Sequence, residues 1–101
     1  MASAPLSTST EHVRLSVTDR FRKSLNALDR TLQKQTLAAL DKLQTASARK
    51  GLNLEKLRGH ANLYTIRVNR NFRVLLRQEF DDDGEVFTLL SVGPHDVTYR
   101  L

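Results

Sequence analysis

The 101-residue sequence contains no cysteine and no tryptophan, and only two prolines and four glycines. Without cysteine, neither a disulfide framework nor a thiolate metal site is possible. No apolar run approaches the roughly 20 residues of a membrane span or the core of a signal peptide. We therefore expect a soluble, cytoplasmic protein.

The composition that is present fits one small domain with an excess of positive charge. The chain is 40% hydrophobic, which is enough for a single core at this length. Sixteen basic residues against eleven acidic ones give a net charge of +5. Such a balance favours an anionic partner, and charge alone does not choose among nucleic acid, an acidic protein and a membrane surface.

The clearest periodic pattern lies in residues 54–78. Its apolar positions recur every second residue, as expected of half-buried strands, at Tyr64, Ile66, Val68, Phe72, Val74 and Leu76. All six stay on one face if Val68 lies opposite Phe72 across a loop formed by residues 69–71. The stretch is therefore predicted to form a β-hairpin.

This register places Arg67 directly opposite Arg73. Like charges in an opposed cross-strand pair are destabilising, typically by a few tenths of a kcal/mol. Two arginines held there suggest an anion near them, and a phosphate matches guanidinium geometry. A solvated sheet face is the alternative interpretation.

The N-terminal part of the chain is predicted as a leader and one strand. Residues 1–11 are small and polar and have no periodicity, so we expect a disordered leader before a domain over residues 12–101. Within that domain, Val13, Leu15 and Val17 alternate with polar residues, which indicates a first strand.

Two helical patterns follow this strand. Thr18 and Asp19 supply an N-cap and an acidic first turn. Apolar residues then recur at spacings of three and four, at Phe21, Leu25, Leu28 and Leu32. A second pattern includes Thr36, Ala39, Leu40, Leu43 and Ala46. We place its end at Gly51, a residue favoured after helices. The junction has no glycine or proline, so one bent helix is possible, and we predict an antiparallel pair.

The rest of the chain is predicted as a loop, the hairpin and a last strand. Residues 52–63 have no period and are assigned to a loop. Residues 81–83 are aspartates followed by Gly84, which indicates a polar turn ending in a left-handed glycine. Residues 86–92 are apolar enough for a central strand. The order β-α-α-β-β-β predicts an α+β fold, with two helices packed on one face of a small, twisted, mainly antiparallel sheet.

The chain from about His12 to Arg100 resembles the RelE/ParE superfamily of toxin–antitoxin toxins. The resemblance rests on this element order and on the spacing between the segments LEKLRGHANLYTIRVNRNFRVLL and SVGPHDVTYR. It implies the superfamily's fold and a toxin–antitoxin context. Members similar to RelE and YoeB cut mRNA in the ribosomal A site, whereas ParE-like members poison DNA gyrase.

The resemblance implies catalytic roles for particular residues. Arg73 matches an arginine thought to stabilise the transition-state phosphate, and Arg67 matches a basic position of RelE. Glu55 lies where YoeB-like enzymes place a general base. His95 lies where the family has a basic residue or histidine after the last strand, and Tyr99 resembles the C-terminal tyrosine of RelE.

The sequence also departs from the RelE pattern and leaves alternatives open. Thr65 stands where RelE has another lysine. Glu55 could instead pair with neighbouring basic residues. The alternative for His95 is a loop residue hydrogen-bonded to the backbone, and the alternative for Tyr99 is a ring packed on the edge of the core. Further contacts to nucleic acid are predicted for four basic residues, Lys56, Arg58, Arg70 and Arg77.

Metal-independent RNA cleavage needs a base at the 2′-hydroxyl, a cation at the phosphate and an acid at the leaving 5′-oxygen. Glu55 or His95 is assigned as the base, Arg73 and Arg67 as the cations, and His95 as the acid, because imidazole titrates near working pH. No metal or cofactor is expected.

These assignments predict the toxin of a type II system, a ribosome-dependent mRNA endoribonuclease that a cognate antitoxin neutralises. Its expected partners are the antitoxin and the ribosome with mRNA, with operator DNA reached only through the antitoxin complex and no membrane. The alternatives are a ParE-like gyrase poison and a catalytically inactive antitoxin-binding or corepressor module.

Overall fold

The computed structural model describes residues 13–45 and 54–94. In chain order its elements are β1 (Arg14–Val17), α1 (Asp19–Asn26), α2 (Arg30–Gln44), β2 (Glu55–Lys56), β3 (Leu63–Arg67), β4 (Phe72–Asp81) and β5 (Gly84–Pro94). The predicted leader lies outside the described residues.

The five strands form one sheet in the order β1-β5-β4-β3-β2. β1 runs parallel to β5, and the other neighbours are antiparallel. The predicted α+β fold with a mainly antiparallel sheet is confirmed, and β5 is an interior strand as expected. The structure adds one strand to the predicted order, because Glu55 and Lys56 pair with β3 instead of belonging to a loop.

The predicted hairpin register is confirmed. Arg67 pairs with Arg73, and the Val68 N–H donates to the Phe72 carbonyl at 3.0 Å. The next turn also follows the prediction, since Gly84 has a φ of 113°. Only glycine adopts such an angle without strain.

Both helices and one face of the sheet share a single hydrophobic core. The helices contribute Phe21, Ala39, Leu40 and Leu43. The three long strands contribute Ile66, Val74, Leu76, Phe87, Leu89 and Val92. A bulge beside Leu75 and Leu76 leaves Leu90 as an extra residue in β5, so Leu89 and Val92 both reach this face. Because side chains alternate along a strand, Arg67 and Arg73 lie on the face away from the core.

The described residues between β1 and β2 form two helices, and an aspartate begins the second. The Asp29 carboxylate accepts from the Leu32 N–H at 2.8 Å, so an N-cap marks the junction that lacks glycine and proline. The predicted end at Gly51 is wrong, since α2 ends at Gln44 and Thr45 is extended. The Gln44 carbonyl instead accepts from the Val13 N–H at 2.9 Å, which ties the helix end to the start of β1. Residues 46–51 lie outside the described residues.

Thr18 joins α1 to the sheet through both functions of its hydroxyl. The hydroxyl accepts from the Phe21 N–H at 3.1 Å and donates to the Leu89 carbonyl at 2.7 Å. We expect Thr18→Ala to lower the free energy of unfolding by about 1–2 kcal/mol, since it removes a cap and a second hydrogen bond. Thr18→Ser keeps the hydroxyl and is the control. Urea denaturation measures both, and an equal loss in the two variants would contradict the assignment.

Arg14 connects β1 to the far end of the β4–β5 hairpin. Its guanidinium forms an ion pair with the Asp81 carboxylate and also donates to the Gly84 carbonyl at 3.4 Å. The Arg14 hydrogen bond holds the pKa of Asp81 below its usual value of 3.8, and the Asp83 N–H acts in the same direction. Asp81 therefore favours the charged form in the folded chain.

This pKa shift predicts a small pH dependence of stability. A carboxylate whose pKa is lowered by folding stabilises the fold above its unfolded pKa, and the contribution disappears as the pH falls through the folded pKa. The parent is therefore expected to exceed Asp81→Asn in stability at pH 7, and the difference to vanish at the acid end, below pH 3.8. Urea midpoints at several pH values measure it, and a difference that does not depend on pH would rule out the ion pair as its source.

Candidate active site

The sheet face opposite the helices carries the predicted arginines. Arg67 and Arg73 form one cross-strand row, and Arg77 lies in another row opposite Leu63. Between them runs the row formed by Glu55, Thr65, Leu75 and Ser91. This face is called the arginine face below.

Arg73 is anchored at one end of its guanidinium. Its Nη1 donates to the carbonyls of Asn69 at 2.7 Å, Phe72 at 3.1 Å and Arg70 at 3.3 Å. Within the described residues its Nε and Nη2 make no hydrogen bond, and it forms no ion pair. These carbonyl oxygens place partial negative charge beside the two positive charges of Arg67 and Arg73. They fix the position of Arg73 and leave its Nε and Nη2 as donors for a ligand.

Asn69 organises the loop that holds Arg73. Its side-chain oxygen accepts from the N–H groups of Asn71 at 2.9 Å and Phe72 at 3.0 Å. Its amide donates to the Gln35 side-chain oxygen at 2.8 Å, so α2 braces the loop. The sequence interpretation gave Asn69 only a turn role, and it missed Gln35, which carries no motif. The role of Asn69 could have been found from the tendency of asparagine to form Asx-turns.

The central row of the arginine face is closed to solvent except at Glu55, which is exposed on the edge strand. Thr65 is 1% exposed, Leu75 is fully buried, and Ser91 is 8% exposed. The Ser91 hydroxyl is the one buried side-chain polar atom without a hydrogen-bond partner in the described part of the chain. The position where RelE has a lysine is therefore a buried threonine, and the exposed cations lie on either side of it.

Glu55 lies on the arginine face, on the edge strand opposite Thr65. Two strand spacings and two residues of rise put its Cα about 12 Å from that of Arg73. The Arg73 guanidinium turns towards the loop carbonyls, and no Glu55–Arg73 hydrogen bond forms. Glu55 and Arg73 thus lie on the same face of the sheet but are not in contact. The role of Glu55 as a base stays a prediction.

The predicted nucleic-acid contacts divide between the two ends of β3. Arg70 is exposed in the loop beside Arg73. Arg77 is exposed and lies 3.9 Å from Glu79 in an ion pair. At the opposite end, Lys56 of β2 and Arg58 of the β2–β3 loop are exposed. His95 and Tyr99 lie outside the described residues.

Residues 13–45 and 54–94 contain no group of three or more histidines or acidic side chains placed to hold a metal. In the same residues, none of the helices has the length and apolar character needed to cross a membrane.

Comparison with solved structures identifies the fold. The archaeal RelE–RelB complex from Pyrococcus horikoshii OT3 matches with a TM-score of 0.64 and 20% identity, covering 89% of this chain and 99% of that chain. A mutant of E. coli toxin RelE in the free state matches with a TM-score of 0.64 and 22% identity, covering 86% of this chain and 87% of that chain. The chain has the RelE toxin fold.

The RelE fold extends to a second toxin type. The YoeB dimer from Staphylococcus aureus matches with a TM-score of 0.59 and 16% identity, covering 83% of this chain and 98% of that chain. No family model matches the sequence, and no curated protein matches it. At these identities the likeness establishes the fold, so activity must be argued from the arginine face.

Proposed function

We propose that the chain is the toxin of a type II toxin–antitoxin system and acts as a ribosome-dependent mRNA endoribonuclease. The observation that carries the proposal is the anchored Arg73 beside exposed Arg67, on the sheet face opposite α1 and α2 in a RelE fold. A fixed guanidinium group beside a second, exposed one is suited to a phosphodiester, whose oxygens gain charge during cleavage.

The reaction proposed is attack of a ribose 2′-oxygen on the adjacent phosphorus, with loss of the 5′-oxygen of the next nucleotide. A base takes the 2′-hydroxyl proton, and an acid protonates the departing oxygen. Arg73 and Arg67 stabilise the phosphate charge. Glu55 or His95 supplies the base, His95 supplies the acid, and Tyr99 stacks on a base of the RNA.

A cognate antitoxin is the proposed protein partner, and it covers the arginine face. Structures similar to this chain include RelE–RelB complexes from Pyrococcus horikoshii OT3 and Methanococcus jannaschii. An acidic antitoxin segment would neutralise the face and exclude RNA from it. Operator DNA is reached only through that complex, and the ribosomal substrate places the activity in the cytoplasm.

The test is expression of the chain from a tightly controlled promoter, with growth and mRNA 5′ ends followed after induction. Purified protein is then added to ribosomes programmed with a defined mRNA. Growth arrest with new mRNA ends on the ribosome is expected. Arrest with DNA breaks and intact mRNA would instead assign a gyrase poison, and a harmless chain would assign a binding or corepressor module.

A further inference from the structure

A pocket of about 490 Å³ lies in the β2–β3 loop, at the opposite end of β3 from Arg73. It is lined by Lys56, Leu57, Arg58, Gly59, His60 and Ala61. This volume falls within the range that small-molecule ligands occupy in proteins. We call it the loop pocket.

The backbone of the loop pocket is held in place. The Leu57 N–H donates to the Leu63 carbonyl at 2.8 Å, and the His60 N–H donates to the Leu57 carbonyl at 3.2 Å. The tight turn between them needs Gly59, whose φ is 84°. The Gln78 N–H also donates to the carbonyl of Asn62 at 2.8 Å, which ties the loop to β4. Little ordering is therefore left for a ligand to impose.

The polar side chains that line the loop pocket are all basic. Lys56, Arg58 and His60 are exposed, and they make no ion pair or side-chain hydrogen bond within the described residues. Leu57 is half-buried and, with Ala61, supplies an apolar surface beside them. A fixed site with two permanent cations, an imidazole and an apolar surface suits an anion that carries a flat apolar group, as a nucleotide does.

The loop pocket lies beyond the Leu63 end of β3, where the arginine face ends. Arg58 is in the loop itself, and Lys56 lies at the sheet edge on the opposite face from Glu55. Leu63 lies four residues from Arg67 along β3, a rise of about 13 Å, and Arg77 of β4 pairs with Leu63 at that end. An extended RNA strand laid along this face would run from the Arg67–Arg73 pair past Arg77 to the loop pocket. Both ends of that path are cationic.

We propose that the loop pocket binds a phosphate and base of single-stranded RNA, as a second subsite for the strand held at Arg73. The assignment rests on the proposed function for its substrate class. It gives Lys56 and Arg58 the role of binding and aligning the strand, with no part in bond cleavage. The charge of the loop then controls affinity and salt dependence, and Arg73 controls the rate of the chemical step.

The experiment measures binding of a 2′-O-methyl RNA octamer, which cannot be cleaved, by fluorescence anisotropy between 50 and 200 mM salt. The logarithm of the binding constant falls linearly with the logarithm of the salt concentration, and each lost phosphate contact to a single strand reduces the steepness of this fall by about 0.7. Lys56→Ala/Arg58→Ala should therefore lower it by about 1.4, and the affinity ratio across this fourfold salt range should fall about sevenfold. Arg58→Lys, tested alone, should keep the parent slope.

The control Lys34→Ala/Lys42→Ala removes the same charge from exposed positions of α2. An unchanged slope in the loop variant, an equal loss in the α2 variant, or no binding of the octamer would overturn the proposal. Inorganic phosphate is a separate arm. If it shifts the Gly59 amide resonance and the octamer does not, the pocket holds small anions only and the subsite is wrong.

Ribosomal cleavage assays separate this result from the proposed function. If the loop variant loses octamer affinity but the parent never cuts mRNA, the subsite stands and the nuclease assignment fails. If the parent cuts mRNA and the loop variant binds the octamer with the parent slope, the nuclease assignment stands and the subsite fails.

Discussion

Arg73→Ala is expected to lower the rate of mRNA cleavage on programmed ribosomes by about 10²–10³-fold, the usual cost of losing one fixed donor to a transition-state charge. The structure explains why this arginine should matter more than its exposed neighbours. Two loop carbonyls and that of Phe72 lie within 3.3 Å of its Nη1 and hold it, so the rest of the guanidinium is oriented before any substrate arrives. Preorganised charge costs no reorganisation during the reaction.

Two further variants test this explanation. Arg73→Lys keeps the charge and loses the planar group that spans the loop carbonyls and a phosphate, so it should recover only a small part of the rate. Arg22→Ala removes an exposed arginine that pairs with Asp19 on α1, away from the arginine face, and should cut mRNA at the parent rate. Circular dichroism checks that each variant is folded. Parent-level cleavage by folded Arg73→Ala would exclude Arg73 from the chemistry.

The hairpin was predictable because its information is local. Six apolar residues in a period of two leave one register in which all of them share a face, and that register pairs Arg67 with Arg73. What the sequence could not supply is the direction of the loop carbonyls that hold Arg73. That direction depends on the Asn69 turn and on Gln35, which is 34 residues away in sequence.

The missed elements are those set by distant contacts. Glu55 and Lys56 form a strand only because β3 lies beside them, and two residues are too short to show a period. Likewise, α2 ends at Gln44, where the backbone of Val13 pairs with it, although the helical pattern continues along the sequence. Glu55 thus reached the arginine face by a pairing that its own sequence does not encode. The position of Glu55 on this face was correspondingly harder to predict than that of the arginines.

The largest effect on stability is expected from Phe87→Ala, with a loss of about 3–5 kcal/mol in the free energy of unfolding. Phe87 is fully buried on the helix-covered face of β5, between Leu15 of β1 and Gln78 of β4. Removing its ring leaves a cavity where both neighbouring strands and the helices meet. For a domain with a stability of about 5–15 kcal/mol, this is a large fraction of the total.

Phe80→Ala is the matched control, because it makes the same chemical change in the neighbouring strand at a residue that is 72% exposed. We expect it to alter the free energy of unfolding by no more than about 0.5 kcal/mol. Urea denaturation of the parent and both variants measures these changes. If Phe87→Ala does not fold while Phe80→Ala does, the loss of stability exceeds the stability of the parent, which also supports the prediction. Similar losses in the two variants would show that the core is not centred on β5. Phe87 lies six residues along β5 from Gly93, the partner of Arg73 in β4. Under the proposed function, any Phe87→Ala protein that still folds should therefore cut mRNA in proportion to its folded fraction.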